Sequence, residues 1–257
     1  SDRPLKQSVY DRLFRYAEFL GFGDLHMKID HDTGLHAIIA VHDTSRGPAI
    51  GGCRCIEYDS TDEALKDALR LGQMMSFQAA VCGLPHGGGK SVIMKPKHLT
   101  DRRELFLAFG DFVNSLNGDY VTAVDSGTSP EDMNIIAERT PFVTCTTSDY
   151  ADGGDPSVST AKGVFNYNIK NSERCAAEFN ADIADPEEIY NYPCDVFAPC
   201  ALGSVINHDS VHSLQASIVA GSANNQLAHR QYGRILHDKG ILYAPDFVIN
   251  AGGLIYV

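Results

Sequence analysis

A chain of 257 residues with 44% hydrophobic content is long enough to bury one large core or two modest ones, which excludes wholesale disorder and fits two compact lobes. A formal net charge of −12 excludes a nucleic-acid or acidic-membrane surface, because both need clustered Lys and Arg to displace counterions, and leaves a small-molecule partner as the default. No apolar run approaches the ~18 to 20 residues that a bilayer span requires, and Ser1-Asp2-Arg3-Pro4-Leu5-Lys6 lacks the apolar core of a signal peptide, so a soluble, cytoplasmic protein is expected.

In chain order, Val9, Leu13, Phe14, Ala17 and Leu20 recur at helical spacing and Gly21 with Gly23 ends that segment. Residues 34–41 form a short apolar run bounded by turn residues, which predicts a buried strand. Residues 47–52, Gly-Pro-Ala-Ile-Gly-Gly, read as a glycine-rich turn. Ser60 with Glu63 is a capping-box signature opening a helix through Ala64, Leu65, Ala68, Leu69 and Leu71. A further helix starts near Thr100 or Asp101 and carries Leu105, Phe106, Phe109 and Phe112 on one stripe. Residues 120–124 read as a strand, and Ser129-Pro130-Glu131-Asp132 supplies an N-cap, a first-turn proline and early acids for another helix. The C-terminal half changes texture. Residues 195–198, 217–220 and 240–244 are three short strands, each running into small or polar residues. Strands about twenty or more residues apart, with helical patterns between, predict a parallel doubly wound sheet whose ligands sit at the strands' carboxyl ends.

The seven cysteines, Cys53, Cys55, Cys82, Cys145, Cys175, Cys194 and Cys200, are odd in number and contain no CxxC pair, so neither a disulfide framework nor a zinc ribbon is indicated. Histidines at 26, 31, 36 and 42 are spaced for neither a helix face nor a tight turn, and no metal is expected. Gly87-Gly88-Gly89-Lys90-Ser91 looks like the end of a phosphate-binding loop, but the first glycine of that motif would fall at 84, where Leu stands, and the preceding segment reads as helix. A Gly-x-Gly-x-x-Gly dinucleotide fingerprint is absent, although the second half otherwise reads as a nucleotide-binding domain.

Seven stretches fall into one pattern: residues 37–52 (AIIAVHDTSRGPAIGG), 67–71 (DALRL), 83–93 (GLPHGGGKSVI), 124–128 (VDSGT), 198–203 (APCALG), 220–227 (AGSANNQL) and 244–253 (APDFVINAGG). In this order they resemble the successive signatures of the leucine, phenylalanine and valine dehydrogenases of the Glu/Leu/Phe/Val amino-acid dehydrogenase family. The resemblance implies an α/β protein of two domains. Residues 1–148 would form the substrate-binding, catalytic and oligomerisation domain, and 149–257 a Rossmann-like dinucleotide-binding domain. It also bears on the missing fingerprint. Residues 164–170 run almost directly into 171–178, which resembles a helix well downstream, so the family's glycine-rich strand-turn-helix has no counterpart near 166–171. Its C-terminal helices likewise have no counterpart after Val257.

The activity implied by the resemblance is NAD-dependent oxidative deamination of an aliphatic, branched-chain L-amino acid to its 2-oxo acid and ammonia, and the reverse. Lys90 matches the family's catalytic lysine, a base towards water once burial lowers its proton affinity, and Asp125 the carboxylate that shuttles protons at the amino nitrogen. Gly51 and Gly52 match the floor beside the substrate, and Met75 and Val248 its apolar side-chain pocket. Gln78 stands where the family has the lysine that binds the substrate carboxylate. A neutral hydrogen bond contributes about 0.5 to 1.5 kcal/mol against about 1.5 to 3 for a charged one, so weaker substrate binding is expected. For the cofactor the matching positions are Thr160, Asn225 and Asn250, with Ala198, Ala220 and Asn224 as neighbours; NAD rather than NADP rests on family habit. A homo-oligomer is implied, with the helix carrying Leu13 and Leu20 as candidate contact. The competing reading is a catalytically weakened homologue that binds an amino or oxo acid for sensing, motivated by Gln78 and the absent glycine-rich segment.

Overall fold

The computed structural model describes residues 9–97, 101–149, 176–177, 182–185, 188–200 and 203–250. The chain divides into two compact units, Ser1–Pro156 and Ser157–Tyr256.

The first unit opens with α1 (Val9–Leu20), which Gly21 ends in the left-handed region at φ +83°, and continues with β1 (Asp24–Asp30), β2 (Leu35–Asp43) and β3 (Ala49–Ile56). Then come α2 (Thr61–Val81), β4 (Gly87–Met94), α3 (Arg102–Asn114), β5 (Tyr120–Val124) and α4 (Pro130–Ala137). The helix starts follow local chemistry. Ser60 accepts from the Glu63 amide at 3.2 Å, Asp101 accepts from Arg103 and Glu104, and Ser129 with Asp132 forms a complete capping box.

The sheet order is β1-β2-β4-β3-β5, antiparallel at β1/β2 and β2/β4 and parallel at β4/β3 and β3/β5. Both of its faces are covered, and the period-two alternation of a strand sorts side chains between them. In β2, Leu35, Ala37, Ile39 and Val41 join the core beneath α3 and α4 with Phe106, Phe109 and Met133, while Ile38 and Ala40 join Leu65, Ala68 and Leu69 of α2 on the other face.

One expectation needs correction here. Only Gly47-Pro48 of the glycine-rich stretch 47–52 is a turn; Ala49 onward is strand, buried between β4 and β5. A Cβ on Gly51 would stand 1.8 Å from the Gly89 carbonyl oxygen, so its glycine serves strand packing rather than a turn. Leu13 and Leu20 face inward against the α2 core, and the outward apolar side chains on the described part of α1 are Phe14 and Phe19, beside the exposed Arg15 and Glu18. Strand β1 was not among the predicted elements, although Leu25, Met27 and Ile29 alternate with Asp24, His26, Lys28 and Asp30 as a strand requires.

In the second unit β6 (Val196–Phe197), β7 (Ile218–Val219) and β8 (Leu242–Tyr243) form a parallel sheet in that order, at the three places where short strands are expected. Helices α5 (Ser210–Ser213), α6 (Gln231–Asp238) and α7 (Asp246–Ile249) accompany them, over a core of Ile206, Val211, Leu214, Val219, Leu236 and Ile241. The fold is α/β, as read from the sequence.

Candidate active site

Strand register builds the first cluster. Glycines 87 to 89 lie within β4 and not in a loop, which removes the phosphate-loop reading. Ile50 pairs with Gly88 and Cys53 with Ser91, so Lys90 lies level with Gly52; Cys53 pairs with Val124, so Arg54 lies beside Asp125 at the end of β5. Alternation then turns Lys90 and Arg54 to the sheet face that α2 covers. Glycine keeps this face open to backbone. A Cβ on Gly88 would meet the Ser76 amide nitrogen at 2.0 Å, and one on Gly52 would meet Asp125 Cβ at 2.7 Å.

Lys90, 2% exposed, donates from Nζ to Asp125 Oδ2. The other carboxylate oxygen accepts from Arg54 Nε at 2.9 Å and from the Ser126 amide at 2.6 Å. Arg54 Nη1 in turn reaches Asp67 Oδ2 at 2.8 Å, to which the Tyr58 hydroxyl also donates at 2.7 Å. The turn after β5 is fixed independently. Thr128 Oγ1 accepts from the Asp125 amide at 2.9 Å, and Arg102 clasps both Asp132 and the Gly127 carbonyl.

Burial lowers the proton affinity of Lys90; Asp125 opposes that and the Arg54 charge adds to it, leaving the amine below its usual value. For Asp125 burial alone would raise the carboxyl, but the Lys90 and Arg54 charges prevail and hold it well below the usual carboxylate range. The cluster therefore presents a buried amine that can be deprotonated and a carboxylate that rests ionised.

Gln78 is buried on α2, and Met75, on the same helix, is half-buried with its carbonyl carbon against Gly88. Val248 belongs to the second unit, 44% exposed on α7. Thr160 lies outside the described residues, as does the expected gap near 166–171.

In the second unit the loops leaving the three parallel strands converge. Ala198 and Ala220 follow β6 and β7, and the Ala223 amide donates to Pro199 at 2.9 Å. Asn250 Nδ2 donates to Asn224 Oδ1 at 2.6 Å and to the Ser222 carbonyl at 3.2 Å. Asn225 is buried in the left-handed region at φ +53°, its carbonyl accepting from the Ser204 amide at 2.6 Å. These neutral amides and carbonyls suit the carboxamide of a nicotinamide and bring no charge that would oppose hydride transfer.

The reading from sequence did not single out Arg54, Tyr58 or the role of Asp67, and it weighed His42 only as a metal ligand; the His42 ring bridges Ser76 at 2.8 Å and the Leu20 carbonyl at 3.0 Å and so ties the end of α1 to α2. Among the described residues no group of three His, Cys, Asp or Glu is placed to hold a metal ion, and no helix is long and apolar enough to cross a membrane.

Residues 23–142 match the family model for the Glu/Leu/Phe/Val dehydrogenase dimerisation domain, and residues 158–257 match that for glutamate/leucine/phenylalanine/valine dehydrogenase. The leucine dehydrogenase of Thermoactinomyces intermedius is 39% identical over 293 aligned positions, taking in 96% of this chain and 80% of that enzyme. That alignment is longer than the 257-residue chain, so the relative carries interior residues with no counterpart here. The phenylalanine dehydrogenase of Bacillus thermotolerans is 40% identical, over 89% of this chain and 73% of its own. The crystal structure of L-tryptophan dehydrogenase from Nostoc punctiforme aligns with a TM-score of 0.65 at 35% identity, covering 94% of this chain and 83% of that one. A hetero-hexameric glutamate dehydrogenase from Thermus thermophilus shares the fold, with a TM-score of 0.68 at 20% identity over 99% of this chain and 83% of that one.

Proposed function

This chain belongs to the Glu/Leu/Phe/Val dehydrogenase family, and from that premise we propose that it interconverts an aliphatic, branched-chain L-amino acid with its 2-oxo acid and ammonia, using NAD and the pair Lys90 and Asp125. The observation that carries the proposal is the Lys90–Asp125 pair, a buried amine of lowered proton affinity against a largely buried carboxylate that rests ionised and so is ready to accept a proton.

In deamination Lys90, as the free amine, takes a proton from the attacking water, while Asp125 accepts and returns protons at the amino nitrogen; holding Lys90 on β4 and Asp125 at the end of β5, on either side of β3, replaces a search for partners by a fixed geometry. Bound NAD supplies the hydride acceptor, and Thr160, Asn225 and Asn250, with Ala198, Ala220 and Asn224 beside them, are the proposed contacts. Gly51, Gly52, Met75, Gln78 and Val248 are the proposed substrate contacts. We assign residues 1–148 to substrate and self-association and 149–257 to the cofactor.

The test is a steady-state panel of leucine, isoleucine, valine and phenylalanine with NAD and with NADP. Turnover highest on a branched-chain substrate with NAD is expected, and loss of at least about 100-fold in kcat is expected for Lys90→Met and for Asp125→Asn. No reduced cofactor with any substrate would overturn the reading. Gln78 favours a second reading, a weakened homologue that senses amino or oxo acids, for which calorimetry would record binding without turnover.

Self-association is proposed through the outward side chains Phe14 and Phe19 of α1 with Met27 and Ile29 of β1, all more than half exposed. Sedimentation of the wild type as a multimer, and of Phe19→Glu as smaller species, is the expected outcome.

A further inference from the structure

The fork of Arg54 is not explained by sheet packing. Strand β3 is otherwise small and apolar at its end, Cys53 and Cys55 being buried in the core on the opposite face, and a guanidinium is an expensive group to place there unless its donors are matched. They are matched asymmetrically. One edge of the fork is anchored at Asp67 on α2, itself held by Tyr58, while Nε is spent on Asp125. Asp125 thus has its Oδ1 saturated by Arg54 and the Ser126 amide, and only Oδ2 is left to face Lys90.

We propose that Arg54 is a positioning residue for the dehydrogenase reaction: braced by Asp67 and Tyr58, it pins one oxygen of Asp125 so that the other is aimed at Lys90 and at the substrate nitrogen. The proposal rests on the function assigned above. A planar, permanently charged fork can hold two carboxylates in one geometry, which a lysine ammonium cannot. Its charge also has a consequence for Lys90. The charged or titratable groups acting on that amine are Asp125 after β5, Arg54 and Cys53 on β3 and Asp67 on α2, and of these Arg54 alone is a second cation. It repels the proton on Lys90 while keeping Asp125 ionised, so it favours the state in which lysine is the base and aspartate the acceptor.

The experiment compares wild type, Arg54→Met, Arg54→Lys and Asp67→Asn by kcat, KM and the pH dependence of kcat/KM. In parallel, Lys90 is titrated by NMR in protein labelled with 13Cε-lysine, its resonance identified by loss in Lys90→Arg. Arg54→Met removes a like charge from near Lys90, so the Lys90 midpoint and the acidic limb of kcat/KM both move up by about one to two pH units. Its kcat falls by about 100-fold, the scale of a misplaced reacting group. Arg54→Lys keeps the charge and loses the fork: the midpoint stays within about half a unit of wild type while kcat falls by about tenfold or more. Asp67→Asn, which loosens the brace and leaves the guanidinium in place, lowers kcat with KM little changed, and it decides the matter if Arg54→Met does not fold. Folded Arg54→Met with wild-type kcat and an unmoved Lys90 midpoint would overturn the proposal, as would an Asp67→Asn variant indistinguishable from wild type. A wild type without turnover, but with the NMR shift as described, would overturn the dehydrogenase reading and leave the hold of Arg54 on the pair supported.

Discussion

At position 78 a buried glutamine occupies the turn of α2 that packs along β4, the strand carrying Lys90. Replacing it with lysine adds a cation on that face. A cation lowers the proton affinity of a neighbouring amine, so the acidic limb of kcat/KM moves to lower pH; a charged donor to the substrate carboxylate outweighs a neutral one by about 1 kcal/mol or a little more, which is about tenfold in kcat/KM. Gln78→Lys is therefore expected to be the more active protein, with its pH profile displaced towards acid, and unchanged kinetics would remove Gln78 from the substrate site. Gly52 permits the opposite experiment. Its missing Cβ is the space into which Asp125 fits, with Asp125 Cβ at 2.7 Å and the Val124 carbonyl oxygen at 2.8 Å from where a methyl would stand, and the latter is backbone that cannot swing aside. Gly52→Ala is expected to cost about 1 to 3 kcal/mol of stability by overpacking and to reduce kcat by about 100-fold through a displaced Asp125. Wild-type kcat in the folded variant would mean that the placement of Asp125 is less exacting than the structure implies.

The elements differ in how legible they were. Helices α2, α3 and α4 were readable because their caps are local: Ser60, Asp101 and Ser129 each bond to an amide two or three residues on, so a few adjacent letters carry the signal. Strand β5 and the three parallel strands of the second unit were readable as short apolar runs. Strand β1 was passed over although Leu25, Met27 and Ile29 alternate with Asp24, His26, Lys28 and Asp30, because a reading that looks for unbroken apolar runs finds none in an edge strand that leaves most of its length to solvent. The stretch 47–52 misled because glycine composition signals a turn, whereas here it serves close approach between paired strands, a property of neighbours distant in sequence. The pair Lys90 and Asp125 entered through resemblance rather than spacing, and Arg54 had no local signal: its importance depends on a register that sets residue 54 beside 125 and 67. Gly88 tests this element-scale view. Alanine there would put a methyl 2.0 Å from the Ser76 nitrogen and 2.6 Å from the Met75 carbonyl carbon, both main chain of α2. Gly88→Ala is expected to lift α2 from β4, losing about 3 kcal/mol in urea unfolding, at the upper end of overpacking costs. Ser129→Ala, which removes only a cap on α4, is expected to lose about 0.5 to 2 kcal/mol. Equal losses would show that α2 yields more easily than a helix packed on a glycine strand should.

For the molecule as a whole, the buried pair makes stability depend on pH in two separate windows. Asp125 binds its proton less tightly folded than unfolded, so it contributes stability that is present above the ordinary carboxylate value of about 4 and is lost as pH falls below it. Lys90 is also shifted down, but for an amine this has a different meaning: in the window between its folded value and the unfolded value of about 10.4, the unfolded chain holds the proton and the folded chain does not. Stability must then rise with pH across that window, by at most about 1.4 kcal/mol per unit. Other groups titrate there too, so the quantity to follow is a difference. In Lys90→Met the amine is gone while Asp125 keeps Arg54 as partner, and the remaining titrations are common to both proteins. The unfolding free energy of wild type minus that of Lys90→Met, from urea titrations at pH 7, 8, 9 and 10, is expected to increase with pH. A difference that shrinks instead would show that Asp125 raises the proton affinity of Lys90 by more than burial and Arg54 lower it. Lys90 would then rest as a structural cation at neutral pH, unable to begin as the base that deamination requires.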